Sequence, residues 1–203
     1  MGTWECMCVL KGHTRWVWTL AGTRDHLFSA SEDKSIRMWN VGTWRCEGVL
    51  QGHTHYIWSL AVNDRFLFSG SWDETIRIWR RGDGMFQRVL RGHSGYVLSL
   101  AVSGDFLISG DSRGVIRVWS IATWDCVREL NGHTDWVMSL VVRSSLLFSG
   151  SKDNTIRVWR VGTWKCIRVL KGHTAEVIKM AVTNDCVFSA SYDKTVRVWD
   201  RVA

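Results

Sequence analysis

Five histidines stand at one interval, each directly behind a glycine: His13, His53, His93, His133 and His173. Imidazole suits general acid–base chemistry near neutral pH and is the commonest metal ligand. A catalytic base is needed once and in one geometry, and a metal needs its ligands aimed at one point. Histidines 40 residues apart belong to five equivalent units and do not converge. Outside these units the sequence holds no nucleophile–base pair, paired carboxylate, phosphate-binding loop or metal-ligand spacing. The expectation is no catalytic residue, no metal and no cofactor.

The elements that carry these histidines repeat with them. Trp39, Trp79, Trp119, Trp159 and Trp199 keep the same interval, so five units of 40 account for all but three of 203 residues. A fixed period in the range of roughly 20–50 residues marks a stacked repeat architecture. Each unit reads as four short strands. In the second, TWRCEGVL (43–50), YIWSLAV (56–62), FLFSGS (66–71) and TIRIW (75–79) are β-prone runs separated by turn residues. No segment holds a 3.6-residue period, so no helix is expected. Runs such as IWSLAV are apolar on both faces, as in sheets stacked between sheets.

Composition narrows the classes. Hydrophobic residues make up 46% and aromatic residues 12%, too rich for a disordered chain. Apolar runs are too short for a membrane helix of about 20 residues, and the first residues lack a signal-peptide pattern. The six cysteines include Cys6, Cys46, Cys126 and Cys166 at one recurring place, which predicts reduced, mostly buried thiols in an intracellular protein, cytoplasmic or nuclear. A net charge of +7 without a polybasic tract is a mild attraction for acidic partners. The length suits a single domain, residues 1–203.

A 40-residue unit with Gly-His, a Ser-x-Ser-x-Asp turn and a terminal Trp resembles the WD40 repeat, over essentially the whole chain. The Trp-Asp dipeptide itself occurs at the end of one unit only, Trp199-Asp200. The FSGS and FSAS blocks resemble the propellers of certain ubiquitin ligases and of the alpha-kinases that act on myosin heavy chain. The resemblance implies an all-β fold, a β-propeller of five four-stranded blades. It further implies that the leading strand, TWECMCVL (3–10), completes the last blade and closes the ring. A monomeric ring is the expectation; exchange of strands between chains to close a larger ring is the alternative.

The resemblance also implies a structural hydrogen-bond relay, Trp to Ser to His to Asp. Its members are Trp39, Ser29, His13 and Asp33; Trp79, Ser69, His53 and Asp73; Trp159, Ser149, His133 and Asp153; and Trp199, Ser189, His173 and Asp193. The third unit departs, with Arg113 at the Asp position and Asp111 where a Ser belongs, so Asp111 or water is expected to partner His93, and this blade to open most easily. Arg37, Arg77, Arg117, Arg157 and Arg197, two before each Trp, read as a solvated strand face. The Trp of the Thr-Trp pairs (Trp4, Trp44, Trp124, Trp164) reads as outer-strand packing.

Positions that vary between units are free to serve a partner. On one face of such a ring the resemblance places Trp16, Trp18, Tyr56, Trp58, Trp72, Tyr96, Trp136, Met138, Lys152 and Tyr192. Trp and Tyr are enriched at interaction hot spots. The expected function is a non-enzymatic scaffold for protein–protein interaction, binding a peptide or partner loop on this aromatic-rich face. The alternatives are an engineered or fragment-derived propeller scaffold with no native partner, and weak nucleic-acid binding through the positive charge. No membrane partner is expected.

Overall fold

The computed structural model describes residues 5–200, and these form an all-β structure of 19 strands in five antiparallel sheets. The first sheet holds β1 (Val17–Gly22), β2 (His26–Ser31), β3 (Ile36–Asn40) and β4 (Cys46–Leu50). The second holds β5 (Ile57–Val62), β6 (Phe66–Ser71), β7 (Ile76–Arg80) and β8 (Phe86–Leu90). The third holds β9 (Val97–Ser103), β10 (Phe106–Asp111), β11 (Ile116–Ser120) and β12 (Cys126–Leu130). The fourth holds β13 (Val137–Arg143), β14 (Leu146–Ser151), β15 (Ile156–Arg160) and β16 (Lys165–Leu170). The fifth holds β17 (Val177–Val182), β18 (Cys186–Ser191) and β19 (Val196–Asp200). In every sheet the strands pair in chain order, each through a short turn.

Short β-branched and aromatic strands of this kind need both faces covered, and the core lies between sheets. Phe28, Ile36 and Met38 of the first sheet pack with Ile57, Leu60 and Leu67 of the second. The same arrangement repeats at the next three junctions. The inner strands meet in the order β1, β5, β9, β13, β17.

Two turns set the geometry within a sheet. Between the second and third strands the chain passes through a left-handed residue, Lys34, Glu74, Gly114, Asn154 or Lys194. Between the third and fourth strands the left-handed position is taken by Trp44, Gly84, Trp124 and Trp164. A bulky residue at positive φ is uncommon and persists only when its surroundings hold it. Trp124 packs edge-on to Phe66 of the preceding sheet, and Trp164 to Phe106. These rings therefore fill the space between sheets from a turn, whereas outer-strand packing was expected; Trp4 lies outside the described residues.

Two further expectations are corrected. The last sheet has three strands, and residues 5–10 of the leading segment form no strand and are largely exposed, so among the described residues the expected ring closure is not formed. The five sheets make an arc. Cys6, Cys8, Cys46, Cys126 and Cys166 are exposed and Cys186 half-buried, all free. For Cys46, Cys126 and Cys166 the reason is position: each lies on the fourth strand, the outermost of its sheet, and no further strand covers it.

Candidate functional site

The relay occupies the interior of every sheet. In the second, Trp79 Nε1 donates to Ser69 Oγ (2.9 Å), Ser69 Oγ lies 2.8 Å from His53 Nε2, and His53 Nδ1 lies 2.7 Å from Asp73 Oδ2. With the proton on Nδ1, each donor has one acceptor: indole to hydroxyl, hydroxyl to imidazole, imidazole to carboxylate. The first, fourth and fifth sheets carry the same chain of contacts with His13, His133 and His173. In the third, Trp119, Ser109 and His93 are joined to Asp111, whose Oδ2 lies 2.7 Å from His93 Nδ1. Asp111 also accepts the backbone N–H of Arg113 and of Val115.

Burial alone would raise the carboxyl of Asp33, but hydrogen bonds from Ser35, His13 and the backbone N–H of Thr14 and Ser35 hold it at about 2. Asp73, Asp111 and Asp153 are likewise held below the usual carboxylate range: burial opposes ionisation and their histidine and turn donors overcome it. For Asp193 the hydrogen bond from Thr195 leads the same downward shift. A Ser–His–Asp constellation also serves hydrolases. Here Ser69, Ser109 and Ser149 are fully buried and each already accepts a tryptophan N–H, which leaves a substrate no path to the oxygen.

Of the arginines two before each Trp, Arg37, Arg77, Arg117 and Arg157 are half-buried and Arg197 is exposed. Arg37 donates to the Gly12 carbonyl (2.7 Å), and Arg117 pairs with Glu129 (2.7 Å). Gly52 shows why glycine precedes the relay histidine: its φ is +142°, and a Cβ there would sit 2.4 Å from Arg77 Nη1.

The variable residues are positioned by two repeated devices. One is a β-bulge in each inner strand. Val17 pairs with Ser31 and Thr19 with Ala30, which leaves Trp18 as the extra residue, and the same irregularity isolates Trp58, Leu98, Met138 and Ile178. A bulge re-aims the side chain it carries. The other is a backbone bond between the two loops of the face. Glu32, Trp72, Ser112, Lys152 and Tyr192 each donate N–H to the carbonyl of Trp16, Tyr56, Tyr96, Trp136 or Glu176 in turn, at 2.9–3.1 Å.

These devices bring most of the aromatic set into one wall. Trp16 meets Trp18 edge-on at 5.5 Å, Trp18 stacks on Trp58 at 4.6 Å, and Trp58 leans on Trp72 at 5.6 Å. Trp72 contacts Tyr56, Tyr96 and Trp136, and Lys152 Nζ sits 5.0 Å above the Trp136 ring. Trp16 is exposed, as are Tyr96 and Lys152, and the charged rim includes an Arg15–Glu32 pair at 3.3 Å. Tyr192 is exposed on the last sheet and joins none of these ring contacts; Met138 sits half-buried at its bulge. His55 was not singled out from the sequence, yet it stacks on Trp72 at 5.6 Å. Its signal was the one aromatic in a series otherwise filled by Arg15, Gly95, Asp135 and Ala175.

Comparison with known proteins agrees with this geometry. The model of the WD domain, G-beta repeat, matches five times, at residues 4–40, 44–80, 84–120, 124–160 and 164–200. Nuclear distribution protein PAC1 of Candida glabrata is 46% identical over 39 residues, 19% of this chain and 8% of that protein. Among solved structures, the computationally designed Ika8 protein superposes with a TM-score of 0.86 at 31% identity, covering 93% of this chain and 59% of Ika8. U3-55K superposes with a TM-score of 0.89 at 26% identity, covering 95% of this chain and 63% of its own. The chain thus spans less than two thirds of each of these relatives. Matched over nearly its whole length, with every repeat carrying its own relay, the chain belongs to the WD domain, G-beta repeat family.

Proposed function

We propose that this chain is a protein-interaction scaffold that holds a short peptide or a partner's loop against the wall running from Trp16 to Trp136. The observation that carries the reading is the continuity of that wall: rings from four sheets touch one another on one face, at positions where this chain's own units differ. Large apolar patches with a polar rim mark interaction sites, and Trp and Tyr anchors contribute most of the binding energy at such sites. Arg15, Glu32 and Lys152 at the rim would orient the ligand by charge. The role is binding without chemistry: among the described residues the Ser–His–Asp sets repeat in every sheet, and their serines are buried and already accept a tryptophan N–H. Six free cysteines support a reducing compartment.

The test is selection of peptides from a displayed random library on the full chain, followed by titration of the retained sequences. Trp18→Ala and Tyr96→Ala should each weaken binding by about 2 kcal/mol, roughly 30-fold. Undiminished binding by the Trp18→Ala, Tyr96→Ala double variant would remove the assigned face.

A further inference from the structure

The two ends of the arc each leave bare a surface that every internal junction covers. Ile57, Val97, Val137 and Val177 are 0% exposed, but Val17 at the same position of the first sheet is 47% exposed. Leu60, Leu100, Leu140 and Met180 reach at most 9%, whereas Leu20 is at 61%. At the other end, Ile36, Ile76, Ile116 and Ile156 reach at most 1% and Val196 is at 68%. Met38, Ile78, Val118 and Val158 reach at most 6% and Val198 is at 60%. Aliphatic surface of this extent next to an unpaired edge strand is what soluble chains cover.

The two surfaces are complementary, and the internal junctions show how. Gly70, Gly110 and Gly150 are small because Val97, Val137 and Val177 of the following sheet rest on them; a Cβ there would lie 2.6–2.8 Å from the valine Cγ1. Ala30 takes that place in the cluster with Ile57, and Ala190 is the next in the series. Ser99 Oγ donates to the Val137 carbonyl across a junction, and Lys179 stands at the same position of the last sheet. Beside Leu146 and Phe148 is a cleft of about 310 Å³, whose wall includes Val158, Val187 and Trp199. At the two preceding equivalent places Trp124 and Trp164 pack on Phe66 and Phe106. The register counterpart of those rings in a following unit of this sequence is Trp4.

We propose that a second copy of this chain docks head to tail on the last sheet. Its residues 5–10 pair with β19 as the missing fourth strand, as β16 pairs with β15. Its first sheet then covers the last sheet of its neighbour, with Val17 over Ala190 and Leu20 against Val196 and Val198. The occupant is a second copy because the last sheet accepts one shape, already made four times within the chain, and the first sheet carries that shape unpartnered. Among the described residues neither surface covers the other: the inner strands meet in the order β1, β5, β9, β13, β17, and both end surfaces stay exposed. The contact is heterologous, so it closes a ring where the rotation allows and otherwise extends into strings.

The test is sedimentation velocity of the full chain over a wide concentration range. Association that grows with concentration is expected. Leu20→Glu and Val198→Glu change exposed residues, so each variant should keep the circular dichroism of the parent and sediment as a monomer. Mixed in equal amounts they should form a dimer and nothing larger, since one surface of each kind survives. A parent that stays monomeric throughout overturns the proposal. So does a mixture that stays monomeric, which would point to closure within one chain or to a different partner. Association of Leu20→Glu alone would mean like surfaces pairing and would equally overturn it.

Discussion

Trp72 lies flat on Tyr96 across the junction of the second and third sheets, ring centroids 4.6 Å apart and planes 6° from parallel. The pair thus belongs to the proposed docking wall and to the packing between sheets at once. Aromatic pairs contribute about 0.5–1.5 kcal/mol beyond the area they bury. A double-mutant cycle of Trp72→Ala and Tyr96→Ala, read by urea unfolding, should give a coupling energy in that range. A coupling near zero would show that the stack contributes nothing to holding the two sheets together.

Ser69 links one buried donor, Trp79 Nε1–H, to one buried acceptor, His53 Nε2. Ser69→Ala leaves Trp79 Nε1 without an acceptor and His53 Nε2 without a donor, at about 1–3 kcal/mol for each orphaned group. Urea unfolding should therefore show a loss of roughly 2–6 kcal/mol. Adding Trp79→Phe removes one orphan and should make the second substitution much less costly in the Ser69→Ala background than in the parent.

The relay carboxylates set the acid limit of stability. A carboxyl whose folded value lies below its unfolded value binds more protons unfolded than folded, so stability rises with pH between the two values. Asp33 is held at about 2 against an ordinary 3.8, and Asp73, Asp111, Asp153 and Asp193 are shifted in the same direction. Their contribution is full above about pH 4 and drains as pH falls toward 2 and below. Unfolding free energy measured across this range should fall steeply. Asp33→Asn should be less stable than the parent at pH 6, and the difference should shrink toward pH 2.

The third sheet was expected to open first, because Arg113 replaces the usual aspartate. The structure removes that reason: Asp111 is fully buried, bonded to His93 and to two backbone N–H groups. Amides of β10 and β11 should exchange no faster than those of β6 and β7. The fastest exchange among the strands should fall in β19, which lacks a fourth-strand partner at low concentration.

Five sheets of short strands, the relay in four of them and the identity of most of the wall were legible along the chain. The strands follow from local chemistry repeated at one interval; the relay and the face were what the resemblance to WD40 repeats implied. A strand of five or six residues between turn residues needs no distant information, and Trp79 needs a buried acceptor wherever its unit is placed. Repetition also told Ser69, which serves every sheet, from Trp72, which serves one. The contiguity of the wall was not legible, because Trp18 meets Trp58 and Trp72 meets Tyr96 across junctions whose angle no single unit specifies. His55 was missed for the same reason.

The sequence by itself determined what each unit is: short strands between turn residues, with one Trp, Ser, His and carboxylate set to satisfy within it. Only the tertiary structure decided how far the units turn from one to the next. That turn is set by the side chains meeting between sheets, Val97 over Gly70 or Trp164 against Phe106, and it accumulates over four junctions. The accumulated angle leaves an arc. Val17 and Val198 are therefore left facing solvent at its two ends.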